Sequence, residues 1–298
     1  MPETIECILN QDYPEIEYII IDDGSTDNTR EVVQAYAGKL RYHYQENGGE
    51  AAAVNTGWQL ATGDYFCVVC SDDPQKNATL IREMVEAMQA HPQIIVAYPD
   101  FYVIDAAGNV IRTIITQEFT PGRLLYYCEC LPGPGALIRR SVLYEKQKQL
   151  RNPEYHFITD LESWMQLLRF GDFQRVPGVF AHWRAHPGGI TSNVKNTRTA
   201  EELLKLKRQV EAAAPLPQLN RRRLACGFYF KAGYYSLWES PKIGLGYLLR
   251  SFVYSPIWFM RTMLRYLWKY FNHLPKRLAE KLLRTGARAM RALWPLRK

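Results

Sequence analysis

Two adjacent aspartates, Asp72 and Asp73, follow a short apolar run, Tyr65 to Val69, and Pro74 ends the stretch. Two carboxylates side by side at the end of a buried strand raise each other's pKa unless a cation sits beside them. A hard divalent cation, itself bound to phosphate oxygens, resolves that repulsion. The same residues also read as a turn with an aspartate at the N-cap of a helix over 77–90. A second pair, Asp22 and Asp23, follows the β-branched run Glu17 to Ile21, and a third site, Asp160, opens an apolar helix that Gly171 closes. Each has a structural alternative. Asp22-Asp23-Gly24 is good turn chemistry. Thr159 and Glu162 fit a capping box, which makes Asp160 a first-turn residue favoured by the helix dipole.

The elements that must position these groups follow from periodicity. Glu17 to Ile21 is continuous rather than alternating, as in a strand covered on both faces. A helix to about Tyr36, a strand from Leu40 to Gln45, a small-residue helix from Glu50 to Ala61, the strand before Asp72, a helix from Thr79 to Ala90 and a strand from Gln93 to Tyr98 come in turn. Such alternation argues for an α/β fold with a mostly parallel sheet flanked by helices. In that architecture the carboxyl ends of the strands form the ligand crevice, so the two aspartate pairs are expected to converge there. From Asp100 the pattern changes. Phe101 to Ile104 and Asn109 to Ile114 flank a turn and predict a hairpin. Gly133 to Ile138 predicts a strand, Arg140 to Leu150 a helix, and Phe173 to Trp183 a strand leading into the glycine-rich loop Arg184 to Gly189.

The 298 residues carry a net charge of +7, but unevenly. From Leu219 onward there are 17 Lys and Arg against 2 acids, a net of +15, which leaves −8 on the rest of the chain. An acidic body with a basic tail implies different partners for the two parts. The six cysteines show no disulfide framework. Cys67 and Cys70 have Cys-x-x-Cys spacing but no second pair at zinc spacing, so they read as buried thiols in a reducing compartment. The first residues have no basic start or apolar run of a signal peptide, and no segment has the apolar length of a membrane span.

The runs ILNQDYPEIEYIIIDDGSTDNT (Ile8 to Thr29), ENGGEAAAVNTG (Glu46 to Gly57), ATGDYFCVVCSDDP (Ala61 to Pro74), ITDLESWMQLLRFG (Ile158 to Gly171) and HWRAHPGGIT (His182 to Thr191) together resemble glycosyltransferase family 2, in its order and spacing. The resemblance implies a GT-A, Rossmann-like domain over residues 1–195, followed by a helical, basic and aromatic region over 196–298. It implies an inverting transferase that moves a sugar from a nucleoside-diphosphate donor, UDP-linked on family frequency, to a glycan or lipid-linked acceptor in cell-envelope polysaccharide synthesis. It assigns Asp22, Asp23 and Asp72 to the nucleotide, Asp73 to a magnesium or manganese ion, Asp160 to the general base and Trp164 to the acceptor side. Arg184 and His186 fall in a mobile loop closing over the donor phosphates. One departure stands out: the strand and loop that the family places before its first helix are absent ahead of Met1. A misassigned start or a fragment is the expectation, and an impaired binding protein of the same fold is the alternative.

The residue types suit this chemistry independently. A sugar hydroxyl is a poor nucleophile at neutral pH, so a positioned carboxylate must take its proton. A metal with a cationic side chain neutralises a departing diphosphate. A sugar-phosphate nucleotidyltransferase, a rival reading, would carry a glycine-rich basic loop near its N-terminus, and none is seen. The tail, with Trp258, Phe259, Tyr266 and Trp268 among Lys and Arg, reads as a segment lying on an anionic membrane surface rather than on nucleic acid. The expected location is therefore cytoplasmic, peripheral on the inner face of the plasma membrane.

Overall fold

The computed structural model describes residues 1–186, 189, 194–213 and 219–272. In chain order the elements are α1 (Pro2–Leu9), β1 (Ile19–Asp23), α2 (Thr29–Gln34), β2 (Arg41–Gln45), α3 (Glu50–Leu60), β3 (Tyr65–Cys67), α4 (Leu80–Ala90), β4 (Ile94–Ile104), β5 (Val110–Ile114), α5 (Pro121–Tyr127), β6 (Leu137–Arg139), α6 (Arg140–Leu143), α7 (Thr159–Leu167), β7 (Asp172–Arg184), α8 (Thr197–Ala212), α9 (Arg221–Ser236), α10 (Pro241–Tyr254) and α11 (Pro256–Asn272). The expected alternation of strands and helices is present through β4. The part of the expected helical, basic region beyond residue 272 lies outside the described residues, as do residues 187, 188, 190 and 191 of the stretch from His182 to Thr191.

The described strands form two sheets. β1 and β2 pair in parallel, and β3, β6, β4, β5 and β7 form the second sheet. The pairing is mixed rather than mostly parallel. β4 runs parallel to β7, whereas β6 is antiparallel to both β3 and β4, and β5 is antiparallel to β4. The reason is local: β5 returns from β4 through the tight Asp105–Gly108 turn, and β6 enters from an irregular segment instead of a helical crossover. Gly108 takes φ 88°, the left-handed conformation that this turn requires, and Asp105 accepts the Asn109 N–H at 2.9 Å.

β4, paired on both sides, is buried along nearly its whole length. β1 is not. Ile19, Ile20 and Ile21 are only half-buried, contrary to the two-sided cover their composition predicts. Among the described residues β1 pairs only with β2, and β3 only with β6. Between their free edges lies a cavity of about 1230 Å³, lined by residues that include Ile20, Ile21, Tyr65, Phe66, Ile8 and Met1. Helix α3 bridges the two strands beneath it. A Cβ on Gly57 would sit 3.6 Å from Ile21 and 3.8 Å from Phe66. Glu17 adds a polar tie, accepting from the Thr62 N–H and hydroxyl at 2.6 and 3.0 Å.

The helices after β7 join the same core. Leu203 and Leu206 of α8 and Leu224 and Phe228 of α9 are fully buried with Trp58, Tyr98 and Leu167. α9 lies so close to α5 that a Cβ on Gly227 would come within 1.8 Å of the Tyr126 carbonyl oxygen. Arg265 of α11 grips Glu129 with two bonds of 2.8 Å. No helix among the described residues is long and apolar enough to cross a membrane.

Candidate active site

The aspartate pair after β1 is held by the protein's own donors. Asp22 is buried, and its two oxygens accept the Ser25 N–H at 2.8 Å and the Tyr42 hydroxyl at 2.6 Å. Burial pushes this carboxyl up, but these bonds outweigh it and hold it below the usual range. Asp23 accepts from Gln45 Nε2 at 2.7 Å and from the N–H groups of Gly48 and Gly49 at 2.9 and 2.7 Å. The two residues thus brace the β1 turn against the loop that starts α3, and the turn reading of their sequence applies to both.

The second pair follows β3 by four residues. β3 is shorter than its apolar run predicts, and the chain reaches Asp72 as an irregular turn. Asp73 is 5% exposed. Burial raises its pKa to about 6; the backbone N–H of Arg184 opposes the rise and the Asp72 charge adds to it. That N–H donates to Asp73 Oδ1 at 2.7 Å. Asp72 Oδ2 lies 3.0 Å from His186 Nε2.

Arg184 closes β7, and its guanidinium is spent on protein groups. It donates to the carbonyls of Asp72, Asp105 and Ala106 at 2.8 to 2.9 Å and pairs with Glu3 at 2.7 Å. In this conformation Arg184 fastens the acidic turn to the β4–β5 hairpin and to α1, and Glu3 is a partner that its position in an ordinary amphipathic helix does not reveal.

Asp160 lies in the first turn of α7, but no capping box forms. The N-cap is Ile158, without a side-chain bond, and Glu162 is buried instead. The Asp160 side chain is 56% exposed and pairs through Oδ1 with the guanidinium of Arg151, which is 6% exposed. Arg151 also lies 3.4 Å from Glu50 at the start of α3. Trp164 is buried, meets Phe173 edge-on and has the Arg151 guanidinium 6.0 Å from its ring. Its contact is therefore with the side chain that holds Asp160. Arg151 and Glu50 escape a reading of the sequence because both look like surface charges in polar stretches.

Asp72, Asp73 and Cys70 share one neighbourhood. Although Cys70 is exposed, its thiol sits among packed atoms; burial pushes it up to about 12, and the charges of Asp73, Asp72, Asp160 and Glu50 all raise it further. One oxygen each of Asp72 and Asp73 and the Cys70 sulfur lie within 4.8 Å of one another. The donor set suits a hard divalent cation through its two carboxylates, since a thiol kept protonated is a poor ligand for such an ion. All six cysteines are free, so no disulfide constrains the site.

The chain has similar proteins of known sequence and structure. Residues 1–146 match the family model described as glycosyl transferase family 2. An uncharacterized glycosyltransferase of Rickettsia conorii is 35% identical over 207 residues, covering 66% of this chain but 33% of that protein, so the chain spans a third of that relative's length. A protein of Escherichia coli named UDP-Glc:alpha-D-GlcNAc-diphosphoundecaprenol beta-1,3-glucosyltransferase is 26% identical over 76% of this chain and 85% of its own. Among solved structures, Staphylococcus aureus TarS in complex with UDP superposes with a TM-score of 0.62 at 18% identity, covering 85% of this chain and 76% of that one. A Pyrobaculum calidifontis mannosyltransferase in complex with GDP-Man and Mn2+ gives 0.56 at 17% identity, over 98% and 76%. The fold is that of the GT-A enzymes, and the chain belongs to glycosyltransferase family 2.

Proposed function

We propose that the chain is an inverting glycosyltransferase that moves a sugar from a nucleoside-diphosphate donor to a lipid-linked glycan acceptor of the cell envelope. The observation that carries this is the pairing of buried Asp73 with Asp72, one oxygen of each within 4.8 Å of the Cys70 sulfur, a thiol that the charge of Asp160 also reaches. One buried, proton-prone carboxylate beside a second carboxylate makes a cation-binding corner, and the solvated carboxylate of Asp160 serves as the base. Asp72 and Asp73 would hold a magnesium or manganese ion, which supplies positive charge where the leaving diphosphate gains negative charge.

In this reading the Asp160 carboxylate removes the acceptor hydroxyl proton as that oxygen attacks the anomeric carbon. The bond to the diphosphate breaks on the opposite face, and the configuration inverts without a protein nucleophile. His186, 3.0 Å from Asp72, stands at the donor side, with Arg184 anchoring the turn between them. A UDP donor and a lipid-linked acceptor are supported by the activity for which the E. coli relative is named and by TarS with UDP; GDP is the alternative, from the mannosyltransferase.

The acceptor would be met at a membrane surface. α10 and α11 expose Leu245, Leu249, Val253, Ile257 and Leu264, each more than half accessible, and Lys242, Arg250 and Arg261 are exposed on the same helices. Apolar side chains flanked by cations suit a peripheral helix pair on an anionic inner leaflet.

The test is titration calorimetry of the chain with UDP, dTDP and GDP, with and without manganese. It is followed by release of UDP or GDP from UDP-glucose, UDP-GlcNAc or GDP-mannose with a GlcNAc-diphosphoprenol acceptor. Metal-dependent binding of one nucleotide, lost in Asp73→Asn, with turnover lowered by about 10²–10⁴-fold in Asp160→Asn, is the expected result. Nucleotide binding without turnover would favour a binding protein of the same fold.

A further inference from the structure

Arg151 occupies a position that a simple surface ion pair would not need. Its backbone is clamped by the Asn55 side chain, which donates to the Arg151 carbonyl at 2.8 Å and accepts its N–H at 2.9 Å. Asn55 and Glu50 both belong to α3, whereas Ser163, 3.3 Å from Arg151 Nη1, and Asp160 both belong to α7. One buried guanidinium therefore joins the two helices. It engages Asp160 through Oδ1, while the Asp160 side chain stays 56% exposed. Its other flank faces Glu50, whose carboxyl is raised first by burial, against the pull of Arg151.

We infer that Arg151 and Glu50 are positioning residues for Asp160, and this rests on the reading of Asp160 as the base. Arg151 fixes the exposed carboxylate in one orientation towards the acceptor hydroxyl. Glu50, 3.4 Å from Nε in an ion pair without a hydrogen bond, offsets the charge of the guanidinium, so that Asp160 is oriented without being fully neutralised. A planar guanidinium with donors on two edges can serve two carboxylates at once, which an ammonium group cannot do with the same geometry. The device acts through Asp160 and touches no reacting atom.

The experiment is a double-mutant cycle on the full chain, with the donor and acceptor pair that turns over in the transfer assay. Arg151→Ala should lower kcat by about 100-fold, the scale of a reacting group misplaced by an ångström, while donor KM and the nucleotide Kd stay within about twofold of the wild type. In an Asp160→Asn background the same change should cost less than about twofold, because the residue it acts through is already gone. Arg151→Lys should recover part of kcat, and Glu50→Gln should lower kcat less than Arg151→Ala does. Should Arg151→Ala fail to fold, Arg151→Lys and Glu50→Gln carry the same kcat-against-KM test. Additive losses in the cycle, or a loss of nucleotide binding equal to the loss of kcat, would overturn the inference while leaving Asp160 as base. Full turnover by Asp160→Asn would instead overturn the base assignment, and the inference with it.

Discussion

The backbone N–H of Arg184 donates to Asp73 Oδ1 at 2.7 Å, across 111 residues of sequence. The end of β7 thus fixes the buried carboxylate, while the Arg184 side chain holds the Asp72 carbonyl, the hairpin and Glu3 of α1. A substitution at Arg184 keeps the backbone bond and removes the rest. Arg184→Ala is expected to destabilise the chain by about 1–3 kcal/mol, since several acceptors lose a charged donor. Urea unfolding measures that. Nucleotide affinity, followed by calorimetry, should fall with it as the acidic turn loosens, whereas Glu3→Gln should weaken stability less and leave affinity unchanged.

Asp100 supplies an acid-sensitive contact away from the site. It is 1% exposed, pairs with Arg175 Nη2 at 2.6 Å and accepts the Thr116 N–H and hydroxyl, both at 2.8 Å. Burial pushes its carboxyl up, but the Arg175 and Thr116 bonds prevail and hold it below the usual range. A carboxyl lowered on folding stabilises the protein above its unfolded pKa of about 3.9, and that stability is lost as the pH falls through the lower folded value. Unfolding free energy measured from pH 6 down to pH 3 should fall, and the Asp100→Asn variant, less stable at neutral pH, should show a shallower decline. Arg175→Met leaves the buried carboxylate without its cation, with only the Thr116 donors, and should cost about 3–5 kcal/mol near neutral pH.

Two glycines in neighbouring helices should respond oppositely to alanine. At Gly227 a methyl group would meet the Tyr126 carbonyl at 1.8 Å, and only a backbone shift of α9 from α5 relieves it. Gly227→Ala should lose about 3 kcal/mol or more, the upper range of overpacking. Gly246, inside α10, has open space where a Cβ would project, with nothing within 4 Å, and Gly246→Ala should gain about 0.5–1 kcal/mol from helix propensity. Thermal melts of the two variants against the parent check both signs.

Membrane association should depend on both the exposed cations and the apolar face. The full chain is expected to pellet with vesicles containing phosphatidylserine at low salt. Leu249→Glu with Ile257→Glu should abolish pelleting, and raising the salt should weaken it without those changes. Undiminished pelleting of the doubly substituted chain would exclude α10 and α11 as the contact.

What the sequence makes legible is uneven, for physical reasons. The Asp105–Gly108 hairpin follows from local turn chemistry and forms as predicted. β4 reads as two strands because Pro99 and Asp100 look like a stop. In the structure the strand continues through them, with a register shift against β7 at that point, and the buried Asp100 is satisfied by Arg175 across the sheet. The helix predicted from Arg140 to Leu150 ends at Leu143, and α5, only seven residues long, carries too little periodicity to be seen. Within the site, Asp72, Asp73 and Asp160 are recognisable because their types and order imply chemistry. Arg151 is not, because its burial comes from α3 and α7 closing around it, a fact of tertiary packing alone.

The free edges of β1 and β3 divide the molecule into units of unequal persistence. Among the described residues, β1 and β2 reach the rest of the chain through α3, Glu17 and side-chain bonds, and no ladder hydrogen bond joins them to the larger sheet. Segments joined this way open without global unfolding. Amide exchange across Ile19–Asp23 and Arg41–Gln45 should therefore run orders of magnitude faster than across Ile94–Ile104. The turn that carries Asp22 and Asp23 belongs to the looser unit, whereas Asp73 is fastened by β7 to the tighter one. The two sheets then breathe on different timescales, and a ligand held by both aspartate pairs would be detected first as slowed exchange in β1.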